Sequence, residues 1–171
     1  MSRRYHQSAA MEQVMHQIVK SFHDYWTSLK GEGDVPLFLD FNIAEVPTEA
    51  VPYLSLIQVE ENPRRFKYRL AGTSIAAAYS EDISGKYLDE LDMGGNQKRY
   101  LEDFNRVVDS RTTNNRQESY TLEDGTRYSF EGWLFPFVGL EGKVSRIVIL
   151  AVDSYNRPTS AVPCFLSSLS K

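Results

Sequence analysis

The stretch VSRIVILAVD, residues 144–153, is apolar on both of its alternating sides. Val144, Val148, Leu150 and Val152 fall on one side of an extended chain, and Ile147, Ile149 and Ala151 on the other. Successive side chains of a strand point to opposite faces. A strand of this kind is therefore buried on both sides, which places it in the middle of a sheet with a layer over each face. The rest of the chain has to supply two covers.

One cover is an N-terminal helix predicted over residues 8–30. Met11, Met15, Ile18, Phe22, Tyr25 and Leu29 recur at spacings of four and three, and Val14, Val19 and Trp26 widen the stripe. Gly31 and Gly33 end it. The stripe has two readings. It packs on its own domain throughout, or its first half, at Met11, Met15, Ile18 and Phe22, packs on a second subunit of a homodimer. The half around Trp26 is expected to be intramolecular.

The other cover lies between two groups of strands. YLSLIQVE (53–60) and RFKYRLA (65–71) read as a hairpin joined by a turn at Asn62-Pro63. In the second strand, Phe66, Tyr68 and Leu70 alternate with Arg65, Lys67 and Arg69. Gly72 permits a sharp departure and Thr73 is a candidate N-cap for a short helix at SIAAAY. DISGKYLDEL (82–91) suggests another short helix, and NQKRYLEDFNRVVDSR (96–111) a longer one with Tyr100, Leu101, Phe104, Val107 and Val108 on its apolar face. RQESYTL (116–122) and TRYSFEGWLFPFV (126–138) flank Asp124-Gly125, a strong hairpin signal. Between the N-terminal helix and the first strand, residues 34–52 carry three prolines and a possible helical turn at Ile43 to Val46. Strands in two groups with helices between them define an α+β fold.

The 171 residues suit one domain. The net charge of −4 argues against general nucleic-acid binding, which needs a basic surface. No apolar run approaches the ~20 residues of a membrane span, and MSRRYHQSAAMEQ has no secretory apolar core, so a cytoplasmic location is expected. The single Cys164 makes neither an internal disulfide nor a cysteine-rich metal site. No serine–histidine–acid motif or phosphate loop appears, and the acids Asp89, Glu90 and Asp92 read as a solvated helix end, so no catalytic residues are assigned and no enzyme is expected.

Several stretches together resemble a bacterial PAS-like family, common among alphaproteobacteria and mostly of unknown function. They are YWTSLKG (25–31), the segment at Pro36, RFKYRLAGT (65–73), DISGKYLDEL (82–91), FEGWLFPF (130–137) and GKVSRIVILAVD (142–153), in the family's order over roughly residues 22–155. The chain departs from the pattern at Ala77-Ala78-Tyr79-Ser80, where members often carry a glycine, and at Ser84, where threonine is usual. The resemblance implies a PAS-like five-stranded antiparallel sheet with helices between strands two and three, preceded by the long N-terminal helix. It divides the chain into a helix at 1–33 for capping or dimerisation, a PAS-like domain at 34–155 and a tail at 156–171.

It also implies a sensory or regulatory domain, with no ligand or cofactor specified, and the first reading is that it binds a small apolar or acidic molecule and modulates self-association or a separate signalling protein. A hollow beneath the interposed helices would be lined by Leu56, Tyr68, Leu70, Ile75, Leu101, Phe104, Trp133, Phe135, Ile147 and Ile149. The alternative is a filled core, with the interaction surface as the whole function. Arg69 either pairs with Glu131 or meets an acidic ligand. Cys164 lies in the tail, away from where flavin photochemistry would need it. His6, His16 and His23 belong to the N-terminal region, so they suit neither a haem ligand nor, by themselves, a metal site.

Overall fold

The computed structural model describes residues 2–79, 82–91, 96–121 and 127–153. Five strands, β1 (Leu54–Glu60), β2 (Arg65–Ala71), β3 (Asn114–Thr121), β4 (Arg127–Val138) and β5 (Val144–Asp153), form one sheet in the order β2-β1-β5-β4-β3. All neighbours are antiparallel. β5 stands in the middle, where its doubly apolar sequence requires it. The helices are α1 (Ser2–Ser28), α2 (Thr73–Tyr79) and α3 (Gln97–Ser110). Among the described residues no helix is long and apolar enough to cross a membrane.

The two faces of the sheet have separate cores. On one, α1 sets Met15, Ile18, Val19, Phe22 and Trp26 against Leu54, Phe135, Phe137, Val148, Leu150 and Val152. On the other, α3 and the segment around Ile83 to Leu91 cover Ile57, Val59, Phe66, Tyr68, Leu134 and Ile147 with Phe104, Val107, Ile83, Leu88 and Leu91. Each fully buried side chain of this size contributes roughly 1.5–3 kcal/mol. The two cores explain why β5 has no polar face.

β4 carries Pro136 in its interior, which an inner strand does not tolerate if its N–H is needed. β3 pairs with β4 only as far as Leu134. Beyond that point β4 is an edge on that side, and Val138 takes the carbonyl of Pro36 instead, at 2.9 Å. Gly72 occupies a close approach of two backbones. Its N–H donates to the Leu54 carbonyl at 2.6 Å, and a Cβ there would stand 2.4 Å from the Pro52 carbonyl oxygen.

Several local expectations change. The 34–52 segment makes three short 3-10 turns, Phe38–Asp40, Ile43–Glu45 and Val51–Tyr53. DISGKYLDEL condenses into a single 3-10 turn at Leu88–Glu90, and its Gly85 and Tyr87 backbone joins the open edge of β2. Thr73 is the first residue of α2 rather than its cap, and the Gly72 carbonyl accepts the Ala76 N–H. The predicted Asp124-Gly125 turn and the tail after residue 153 lie outside the described residues.

Strict alternation fails at two bulges. Leu56 pairs with Leu70 but Ile57 with Tyr68, so Arg69 is the extra residue of β2. Leu70 thereby turns to the α1 face. Likewise Val138 pairs with Val144 but Phe137 with Arg146, so Ser145 is extra and Val144 moves to the α3 face, away from Val148, Leu150 and Val152.

Candidate functional site

The registers resolve the α3 face into transverse rows. One row runs Tyr68–Ile57–Ile147–Pro136 and is packed solid, with Ile57 and Ile147 at 0% exposure. The next runs Ala71–Ser55–Ile149–Leu134, and the one after it joins Ala151, Gly132 and Arg116. These two rows are looser. Ile149 and Ala151 sit on the central strand yet are only partly buried, and so is Gly132 between its two neighbours. Ile75, Tyr100 and Leu101, which pack against the core of this face, are also partly buried. The floor here is small because Ala151 and Gly132 carry little or no side chain.

Ser55 lies in this looser region with 1% exposure, and its hydroxyl has no hydrogen-bond partner among the described residues. A buried hydroxyl left unpaired costs about 1–3 kcal/mol. At the far wall, Arg116 of β3 bonds the buried Asp103 of α3 and lies over the Tyr100 ring, 4.9 Å from its centre. Together they make a partly buried, mostly apolar region, which we term the recess, with one buried hydroxyl in its row and an ion pair on α3 and β3. That is the chemistry of a site for a mostly apolar molecule with a polar end.

The predicted lining residues divide between the two faces. Tyr68, Ile75, Leu101, Phe104, Ile147 and Ile149 lie on the α3 face. Of these, Tyr68, Phe104 and Ile147 belong to the packed half, Phe104 meeting Phe66 edge-on at 5.0 Å. Leu56, Trp133 and Phe135 lie on the opposite face, against α1. Both alternating sets of β4 are apolar, so the alternation could not say which set faces which layer. The aromatic set lies beneath α1 because α1 supplies the matching rings, Phe22 edge-on to Phe135 at 4.9 Å and Trp26 at 5.7 Å. Leu70 is also on the α1 face, 45% exposed, because of the bulge.

Glu131 is buried on the α1 face and accepts the indole N–H of Trp133 at 2.6 Å. Arg69 cannot reach it. Two strands, β1 and β5, separate them, a gap of roughly 14 Å at the usual strand spacing. Of the two readings of Arg69, the pair with Glu131 is thus excluded by the strand order, and Glu131 pairs with Trp133 along one strand instead.

Of the predicted interface residues, Met15, Ile18 and Phe22 are buried against their own sheet, at 4%, 6% and 0% exposure, and the Met11 side chain lies outside the described residues. The intramolecular reading of the stripe therefore accounts for these three. Among the described residues no cluster of three or more histidine, cysteine, aspartate or glutamate side chains could hold a metal ion.

Ser55 and the Asp103–Arg116 pair were not singled out from the sequence. Ser55 was within reach, since it alternates in phase with Ile57 and Val59 of a strand whose inner side is core.

The outer edge of β2 carries an exposed polar cluster. Arg65 bonds Asp89 at 2.8 Å and Glu90 at 3.1 Å and lies 3.6 Å over the Tyr87 ring. The bond from the Tyr87 hydroxyl to Glu60 raises the phenol pKa, and the Tyr87 backbone N–H and Arg65 hold the Glu90 carboxyl below its usual range. This cluster pins residues 85–90 along an otherwise open sheet edge.

A five-stranded antiparallel sheet with its helical connection between the second and third strands defines a PAS-type fold. A family model described as PAS domain matches residues 14–151, and the chain belongs to that family. Solved structures similar to it include a Light-Oxygen-Voltage domain, at 10% identity over 69% of this chain and 88% of that one, TM-score 0.49. A PAS domain from Colwellia psychrerythraea is 11% identical over 66% and 97%, TM-score 0.43. VqmA bound to DPO is 11% identical over 58% and 51%, TM-score 0.45, so this chain spans about half the length of VqmA. No curated protein matches.

Proposed function

We propose that this PAS domain is sensory or regulatory, takes a small, largely apolar molecule into the recess on its α3 face, and passes occupancy on to a second copy of itself or to a separate signalling protein. The observation that carries the reading is the unpartnered, buried Ser55 hydroxyl beside the partly buried Ile149 of the central strand. A polar atom of a ligand would satisfy Ser55, while Ile75, Leu101 and Ile149 supply apolar contact. The signal would be a shift between two packings of α2 and α3 on the sheet, biased by whichever packing binds the molecule better. No acid–base pair is assigned to the recess, and the reading is of binding rather than turnover.

The packed row at Ile57 and Ile147 favours a second reading, in which the core is filled and the domain works only through its surface. Native mass spectrometry of freshly purified protein, followed by denaturing extraction, separates the two. The sensor reading expects an adduct that is lost in Ser55→Ala or Ala151→Leu while both variants stay folded. Protein free of adduct, with Ala151→Leu unchanged or more stable and no small-molecule library member shifting its melting temperature, would favour the filled core.

A further inference from the structure

Arg69 of β2 and Arg146 of β5 lie near enough for the charge of one to act on the other. Arg146 lies in the transverse row Lys67–Gln58–Arg146–Phe137, and Arg69 is the bulged residue beside it on β2. Arg146 is partly buried, its guanidinium 5.1 Å from the centre of the Phe38 ring, and one nitrogen donates to the Ser145 carbonyl at 2.8 Å. Among the described residues neither Arg69 nor Arg146 has an ion pair with a carboxylate. Glu60, next but one to Gln58 on β1, is engaged by the Tyr87 hydroxyl at 3.0 Å and by Gln58 at 3.4 Å. Burial, and then the charge of Arg69, pull the Arg146 pKa below the ordinary arginine value.

Placing like charges together on a sheet is unfavourable, and desolvating one of them adds to the cost. A guanidinium has five N–H donors in a planar fork that matches a carboxylate or phosphate. Only one donor of Arg146 has a partner among the hydrogen bonds at this face. We infer that Arg69 and Arg146, walled by Phe38, form an oxyanion-binding site that takes a carboxylate or phosphate group on the face of the sheet opposite the recess. The shared chemistry has two sources, a small free anion or an acidic side chain of a protein. The surrounding surface is open, with Leu70 exposed on the same face.

The test is titration with inorganic phosphate and, separately, with a short glutamate-rich peptide, at constant ionic strength, followed by amide chemical shifts. The proteins are the wild type, Arg69→Gln and Arg146→Gln. Saturable shifts around β1, β2 and the Phe38 turn are expected, weakened about tenfold or more in each variant, the change expected for losing a charged hydrogen bond. Binding of phosphate alone assigns the site to a small anion, and binding of the peptide alone assigns it to a protein carboxylate. No saturable binding of either probe, or equal affinity in all three proteins, overturns the site. Arg69 is exposed, so Arg69→Gln keeps the comparison valid even if Arg146→Gln fails to fold.

Discussion

Trp26 of α1 donates its indole N–H to the carbonyl oxygen of Pro136 on β4 at 3.0 Å, and the pair is buried. The bond exists because β3 stops pairing at Leu134 and leaves that stretch of β4 as an edge. One long-range contact, 110 residues apart in sequence, thus ties the N-terminal helix to the sheet. Trp26→Phe keeps much of the ring packing and removes the donor. Urea unfolding should report a loss of about 1–2 kcal/mol, including the cost of an unsatisfied carbonyl. A loss near zero would show that water replaces the indole.

Gly72 is required by space. A methyl group there would meet the carbonyl oxygens of Pro52 and Leu54 at 2.4 and 2.8 Å, both backbone atoms. Gly72→Ala should therefore cost about 1–3 kcal/mol, the usual range for overpacking, and should disturb the amide shifts of Leu54 and Thr73 first. An alanine variant as stable as the wild type would mean that the two backbones part without strain.

Phe22 separates packing from association. Its side chain is fully buried against Phe135. Phe22→Ala should lower stability by about 3–5 kcal/mol and leave the oligomeric mass of the folded fraction unchanged in light scattering. A change in mass without a loss of stability would restore this residue to an intermolecular role.

Ser55→Ala removes a buried hydroxyl that has no partner among the described residues. The ligand-free variant should equal or exceed the wild type in stability, by up to about 1 kcal/mol. A clear loss would place a hidden partner on Ser55.

Glu90 supplies a pH dependence. The Tyr87 backbone N–H, then the Arg65 guanidinium, lower its folded-state pKa. The unfolded value is about 4.3. Its contribution is thus fully present above that value and is lost as pH falls through the depressed folded value. Glu90→Gln should flatten the acid limb of a stability–pH curve below about pH 5 and leave the neutral region parallel to the wild type. An unchanged acid limb would rule out the linkage.

The legible part of this fold follows from burial on two sides. The doubly apolar β5 and the N-terminal stripe through Trp26 to Leu29 together require a sheet with two cores, and the structure has them. Side allocation was much less legible. Trp133 and Phe135 could face either layer by alternation alone, because the other alternating set, Leu134, Pro136 and Val138, is equally apolar. Leu70 and Val144 could not be placed without the bulges at Arg69 and Ser145, which depend on the partner strand and leave no mark in a single sequence. Ser55 was hidden for another reason: a serine in a strand is common, and only the missing partner makes it informative.

The bulge at Arg69 has a consequence for communication. β2 gives Tyr68 to one core and Leu70 to the other face, and Ala71 then stands beside Ser55. The strand therefore meets both layers across a single inserted residue. Ala71, beside Ser55, and the bulged Arg69 are two residues apart in the chain. If occupancy of the recess changed anion affinity at Arg69 and Arg146, thermodynamic reciprocity would make an anion there change affinity in the recess by the same factor. The two faces would then be read as one instrument, with its fulcrum at a single inserted amino acid.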